Sequence, residues 1–330
     1  MNIEKWKRAV VHLDCAADSD DMRGRYRRSQ NMKQDLDAGI ITQQEFEAFH
    51  QTIPGTRDIR YTGTAIFLLH NTRRYLLTAR HVVWDELGAK RIIEEAEEEL
   101  GNHPSKQFAQ QRADANIFSI IFRVLSLDEA LKGEQRLPAF LMNLGAGAPS
   151  TTPYMFSDAS LDVAVISLDS RDQEFADDLI RSGYIPITTA DIGLDPLREG
   201  EDVFTVGFPG ATAHLGHLQA PLPVEGGQVL PGHSAWSSTI FAVPVSSFGK
   251  VSMVNQYLPF FLADMSIYPG NSGGPIIAND KLVGIVSAQP TIALEGVTDL
   301  RSRIPFGIII HVKHAIDLLE IQEAKDKGYS

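Results

Sequence analysis

Short apolar segments, cut apart by glycine and proline, restrict the fold of this chain more than any other feature. A first group runs from Gly63-Thr64-Ala65-Ile66-Phe67-Leu68-Leu69 to Tyr75-Leu76-Leu77-Thr78. The polar stretch Asn71-Thr72-Arg73-Arg74 between them reads as a hairpin loop. A second group occupies residues 162–168, 202–207, 239–245, 259–263, 274–277, 282–287 and 306–310. Segments this short and this closely punctuated favour an all-β barrel or sandwich over alternating β and α units.

Helical signals stand at the margins and in one internal stretch. Residues 1–55 are polar and read as a helical N-terminal extension, with Thr42 and Glu45 forming a capping box ahead of Phe46 and Pro54-Gly55 closing it. Residues from about 85 to 155 are the least regular. They hold a charged helix over Lys90 to Leu100, a strand near 117–125, a second short capped helix that begins at Ser126-Leu127-Asp128-Glu129 and a loop over 145–153. An amphipathic helix over 311–325 ends the pattern.

With 330 residues and 43% hydrophobic content the chain can bury a large core. Its formal net charge of −12 opposes a general nucleic-acid-binding role, which calls for a basic surface. The basic clusters Lys5-Lys7-Arg8 and Arg23 to Arg28 read as solvated faces. Cys15 is the only cysteine, so no intrachain disulfide is available. The charged N-terminus lacks a secretory apolar region, and no apolar run has the length to span a membrane, so the expectation is a cytoplasmic protein without a membrane partner.

The chemistry concentrates in three places. Tyr268-Pro269-Gly270-Asn271-Ser272-Gly273-Gly274-Pro275 sets a hydroxyl nucleophile in a glycine-dense turn whose backbone amides can face a reacting carbonyl. A serine hydroxyl is a weak nucleophile at neutral pH. It needs an imidazole to take its proton and a carboxylate to orient that imidazole. His81, in Leu77-Thr78-Ala79-Arg80-His81-Val82-Val83, supplies the first. Asp162, opening the apolar run Val163-Ala164-Val165-Ile166, supplies the second, because a carboxylate there is costly unless a donor meets it. Asp158 and Asp169 are its nearest competitors. No Lys-Ser/Thr follows the glycines as in a phosphate-binding loop, and no strand-to-helix nucleophile elbow is present.

These motifs resemble the chymotrypsin-fold serine proteases, and more narrowly the disulfide-free bacterial trypsin-like peptidases of the Deg, or high-temperature-requirement, type. Gly207-Phe208-Pro209-Gly210 and Leu282-Val283-Gly284-Ile285-Val286-Ser287 add to the likeness, which covers about residues 60–315. The resemblance implies two packed six-stranded antiparallel β-barrels. The first would span 56–180, with an insertion at about 85–155, and the second 181–330 with the C-terminal helix. It also implies His81 as general base, Asp162 as its orienter, Ser272 as nucleophile, and the amides of Gly270 and Ser272 as the oxyanion hole.

The implied activity is that of a serine endopeptidase acting on a protein or peptide substrate through an acyl-enzyme, with no cofactor and no metal. Its substrate pocket would be lined by Ser266, Ile267, Val286, Ser287 and Ala288. No acid lies at its base, so a small or medium apolar P1 residue is expected. The rival reading is a silent protease-fold binding protein with an occluded cleft.

The chain also departs from the pattern. About 80 residues separate His81 from Asp162, Tyr268 replaces a common asparagine, and no sequence follows the last helix for a PDZ domain. Asn271 stands where trypsin-like enzymes carry the aspartate that captures a new N-terminus, so activation through that ion pair is not expected. The extension reads as a lid or an assembly element, and a homo-oligomer is one possible state. His214, His217 and His233 read as loop histidines rather than metal ligands.

Overall fold

A computed structural model of the chain describes residues 2–18, 20–50, 57–100, 106–114, 116–123, 137–142, 152–170, 173–209, 237–238, 244–293 and 301–328. The N-terminal elements are α1 (Ile3–Arg8), β1 (Val10–Asp18), α2 (Asp20–Asp37) and α3 (Gln43–His50). Then come β2 (Arg57–His70), β3 (Arg73–Ala79), α4 (Arg80–Val83), α5 (Glu86–Leu100), α6 (Lys106–Asp114), β4 (Ser119–Arg123) and β5 (Leu137–Met142). They are followed by β6 (Tyr154–Phe156), β7 (Val163–Ser167), α7 (Gln173–Arg181), β8 (Ile187–Thr188), β9 (Asp202–Gly207) and β10 (Ser237–Ser238). The chain closes with β11 (Val245–Met253), β12 (Phe260–Met265), β13 (Pro275–Ala278), β14 (Lys281–Ala288), β15 (Thr291–Ala293), β16 (Arg301–Arg303), β17 (Phe306–His311) and α8 (Lys313–Lys327).

Only one barrel closes, which corrects the expectation of two. It runs β11-β12-β17-β14-β13-β9, antiparallel throughout. The other strands form an open nine-stranded sheet in the order β10-β5-β4-β1-β2-β3-β7-β6, with β8 also pairing with β2. That last pair is parallel, so this sheet is not purely antiparallel either. The physical reason lies in the N-terminal segment, which is not wholly helical. Its strand β1 lies between β2 and β4, where it occupies an edge that a closing barrel would use, while α8 packs on β7 and β6. A two-stranded sheet of β15 and β16 completes the set.

Strands β9, β13 and β14 are largely apolar on both sides because both sides are buried, whereas β12 alternates and β11 is mostly half-buried or exposed. Val203, Val251, Phe261, Ala263, Ile276, Val286 and Ile309 fill one cluster. Their neighbours Phe204, Val206, Ile277, Ile285 and Ile310 turn the other way, into a second cluster shared with Ile66, Leu68, Leu77, Val163 and Val165 of the open sheet. Alternation along each strand therefore feeds two cores at once. The β13–β14 hairpin turns on Asn279 and Asp280, both at positive φ (49° and 60°), a type I′ geometry that these residue types tolerate.

The same second cluster takes in Trp6, Ala9 and Val10. Residues 1–15 accordingly belong to one compact unit with 61–330, and 16–60 form a separate unit. In the latter, α2 packs on α3, whose start carries the expected capping box: Thr42 N donates to Glu45 Oε2 at 2.8 Å and Glu45 N to Thr42 Oγ1 at 3.3 Å. Among the described residues no helix is long and apolar enough to cross a membrane. The second helix expected near Ser126 and the loop over 145–151 lie outside the described residues.

Because Trp6 is fully buried, Trp6→Ala is expected to lower stability by about 3–5 kcal/mol, read by urea unfolding. A loss below about 1 kcal/mol would show that the first residues merely rest on the core. A protein starting at residue 56 lacks β1 and Trp6 altogether, so higher turnover from it is not expected.

Candidate active site

Register brings His81 and Asp162 together. β3 and β7 pair antiparallel with Ala79 opposite Val163, so the residue before one strand meets the residues after the other. Ala79, the N-cap of α4, has no side chain to offer that helix, and Asp162 does the work instead. Its main-chain oxygen accepts from Arg80 N at 3.1 Å, and its Oδ1 accepts from His81 N at 2.9 Å. Its Oδ2 lies 2.8 Å from His81 Nδ1. An ionised carboxylate only accepts, so Nδ1 bears a proton, and in the neutral imidazole Nε2 is then the nitrogen with the lone pair.

Asp162 itself sits at φ 48°, a left-handed conformation that is uncommon for a residue with a side chain. The turn before it holds that conformation. Asp158 Oδ1 accepts from the amides of Ser160 and Leu161, and Asp158 O from those of Leu161 and Asp162. Asp158 is thereby spent on the turn, and Asp169 pairs with Arg74.

Ser287 adds a further bond, donating its Oγ to Asp162 Oδ2 at 2.5 Å. Burial is the largest single influence on the Asp162 carboxyl and pushes it up. The bonds from His81 and Ser287, with the nearby imidazole charge, together outweigh it and hold the group below the usual carboxylate range.

Ser272 lies in the turn between β12 and β13. Its carbonyl accepts from Thr64 N at 2.9 Å, and its Oγ donates to the Ser287 carbonyl at 3.2 Å. Ser287 therefore touches the carboxylate with its hydroxyl and the candidate nucleophile with its backbone. The described hydrogen bonds tie Ser272 to Ser287 and not to His81. A Cβ on Gly63 would come within 2.5 Å of the Val82 side chain and 3.2 Å of Ser272 O, so the residue after His81 and the serine turn both close on the same point of β2.

The amides of the glycine turn divide into two sets. Asn271 N donates to Tyr268 O, Gly273 N to Val286 O and Gly274 N to Asn271 O, at 2.7–2.9 Å. Those of Gly270 and Ser272 donate to no acceptor among the described residues.

Of the five residues expected to line a substrate pocket, Ile267 and Val286 are buried in the barrel core, and a Cβ on Gly307 would come within 2.1 Å of Ile267. The Ser287 side chain is engaged with Asp162, whereas Ser266 and Ala288 are exposed. Beside His81 and Asp162 opens a depression of ≈ 400 Å³ walled by Trp84, Phe260, Ile308 and Ile310. Trp84 is also where the inserted segment is rooted: its Nε1 donates to Ala113 O, and Phe118 N donates to Val83 O.

Sequence reasoning did not single out the Ser287 hydroxyl as a partner of Asp162, nor Thr64 as a partner of the serine turn. A hydroxyl residue at one end of an apolar run, the last residue for Ser287 and near the first for Thr64, was the only signal for either. His214, His217 and His233 lie outside the described residues, and among those described no three His, Cys, Asp or Glu side chains gather as a metal site.

Comparison with known proteins bears on the whole arrangement. Residues 63–285 match the profile of the trypsin-like peptidase domain. Over 135 residues the chain is 30% identical to the serine protease PepD of Mycobacterium tuberculosis (strain ATCC 25618 / H37Rv), covering 41% of this chain and 25% of that protein. The chain thus spans about a quarter of that relative's length. A solved inactive-form structure of Rv3671c from M. tuberculosis H37Rv is 11% identical with a TM-score of 0.42, covering 98% of this chain and 90% of that one. That last likeness is too slight to bear on the site. The domain match takes in the histidine, aspartate and serine motifs together and covers well over half of the residues, so this chain belongs to the trypsin-like peptidase family.

Proposed function

We propose that this chain is a serine endopeptidase that cleaves peptide bonds through an acyl-enzyme on Ser272. The observation that carries the proposal is the 2.8 Å pairing of His81 Nδ1 with Asp162, which leaves Nε2 free to take a proton. Ser272 Oγ leaves the Ser287 carbonyl, gives its proton to His81 Nε2 and attacks the scissile carbonyl carbon. The oxyanion forms against the amides of Gly270 and Ser272, which have no other partner among the described residues. Collapse expels the amine, which takes the proton from His81. Water then gives a proton to His81 and attacks the ester carbonyl, and the acyl–Oγ bond breaks as Ser272 Oγ takes that proton back and the acid leaves. Asp162 keeps its negative charge throughout.

The finer assignments belong to the same reading. The lone cysteine and the run of motifs support a Deg-type reading and, with it, a cytoplasmic one. Asn271 is buried and uncharged, so no new N-terminus is needed to form an ion pair with it. Substrate backbone adds along the exposed end of β14 at Ala288. With Ile267 and Val286 inside the barrel and no acid beside Ser266, the P1 residue is small or medium and apolar.

A silent binding protein is the second reading, favoured by the bond from Ser272 Oγ to Ser287 in place of one to His81. An alkyl fluorophosphonate separates the two. The native protein is expected to label on Ser272 and Ser272→Ala to lose the label. A folded native protein that takes no label sinks the enzymatic reading.

A further inference from the structure

Thr64 is fully buried where the open sheet meets the serine turn, and every polar atom it has is engaged. Its Oγ1 donates to Gly270 O at 2.7 Å and accepts from Phe208 N at 3.2 Å. An amide can only donate, so the Phe208 bond leaves the hydroxyl proton for Gly270 and fixes the rotor. Thr64 N donates to Ser272 O, and Thr64 O accepts from Thr78 Oγ1 at 2.7 Å. A single residue of β2 thus grips the carbonyls of both residues whose amides remain unspent.

The peptides of the turn can be taken in order. The 271–272 peptide is held by Gly274 N on Asn271 O. The 272–273 peptide is held by Thr64 N on Ser272 O and by Gly273 N on Val286 O. The 270–271 peptide is held by Asn271 N on Tyr268 O and by the Thr64 hydroxyl on Gly270 O. Only the 269–270 peptide, which carries the Gly270 amide, has no such tie among the described residues. Gly270 sits at φ 100°, where little besides its neighbours fixes the backbone. Without the hydroxyl, a buried carbonyl and the Phe208 amide both lose a partner, a loss that drives local rearrangement.

From this geometry we infer that Thr64 is a positioning residue for the oxyanion site, its hydroxyl holding the Gly270 carbonyl so that the Gly270 amide faces the oxygen that becomes the oxyanion. The inference rests on the serine-hydrolase reading above. It assigns Thr64 no contact with substrate. The residue acts through Gly270.

The test is the second-order rate of labelling by an alkyl fluorophosphonate across pH, which needs no knowledge of the natural substrate. Thr64→Val, which keeps the branched shape and loses the hydroxyl, is expected to lower the high-pH plateau by about 10- to 100-fold, less than outright loss of an oxyanion donor. The pH midpoint of labelling should stay in place. Thr64→Ser should remain within about threefold of the native rate, and Thr64→Ala should fall with Thr64→Val. Should Thr64→Val fail to fold, the Ser and Ala pair decides alone. Equal losses in Ser and Ala, native rates in both, or a shifted midpoint with an intact plateau would each overturn the inference and leave the hydrolase reading standing. An unlabelled native protein overturns both.

Discussion

Asp162→Asn is expected to lower the rate of fluorophosphonate labelling, and of peptide cleavage, by about 10⁴-fold in a protein that still folds. The carboxylate accepts at both oxygens: Oδ1 from His81 N, Oδ2 from His81 Nδ1 and Ser287 Oγ. An asparagine cannot do both. With its amide nitrogen in the Oδ1 position, it sets a donor against the His81 N–H and uncaps α4. With the nitrogen in the Oδ2 position, it forces the proton of His81 onto Nε2, where a base must have none. The second choice removes proton acceptance from Ser272, and the first loosens the turn that presents His81. A labelling rate within tenfold of native would mean that the carboxylate does not orient the imidazole.

The same substitution has a pH signature in stability. The Asp162 carboxyl is held below its unfolded value of about 3.9. Its contribution to stability is therefore fully present above that value and is lost as pH falls through the lowered native value. Asp162→Asn has no such group to titrate. Its unfolding free energy should decline less steeply on the acid side than that of the native protein, as read from urea unfolding at a series of pH values.

Gly273→Ala is the second large effect, and it falls on the fold and the site together. Gly273 sits at φ 83°, and a Cβ there would come within 2.1 Å of Thr78 Oγ1 and 2.2 Å of Thr64 O. Backbone cannot yield as a flexible side chain would, so the serine turn must lift off β2 and β3. The expected cost is about 2–5 kcal/mol, the sum of a left-handed backbone penalty and overpacking. Labelling of Ser272 should be lost with it. Gly200→Ala supplies the control, because Gly200 has φ 85° but nothing within 4 Å of its added Cβ. It should cost only the backbone penalty, about 1–2 kcal/mol, and leave labelling unchanged. If the two substitutions cost the same, close packing at Gly273 is not what holds the turn.

Five of the barrel's six strands were legible from short apolar runs whose turns carry glycine, proline, asparagine and aspartate. Strand β11 was not, because Ser246, Ser247, Gly249, Lys250 and Ser252 break its apolar pattern. The strand expected over 239–245 lies almost wholly outside the described residues. The pairing of His81 with Asp162 follows from two strand runs whose ends meet in register, although the span of some 80 residues between them hides this from any local pattern. Strand β1 was not legible. His12 and Asp14 interrupt its apolar run, yet both are buried in the fold, so composition suggested a solvated helix where a sheet strand stands. Closure of the first sheet was equally out of reach, since it depends on which edge that strand takes. The bond from Ser287 to Asp162 depends on the approach of β14 to the turn before β7, a contact 125 residues apart in sequence.

The shared cluster of Trp6, Ala9 and Val10 with Ala315, Leu318 and Leu319 has a consequence for biosynthesis. A ribosome releases the first of these residues long before the last, and β1 must wait for β4, some hundred positions later, to gain its second neighbour. Contacts so distant along the chain delay folding and leave apolar surface open to aggregation meanwhile. Nascent chains stalled short of α8 should therefore engage chaperones and resist maturation, and the emergence of α8 becomes the step that lets the domain consolidate.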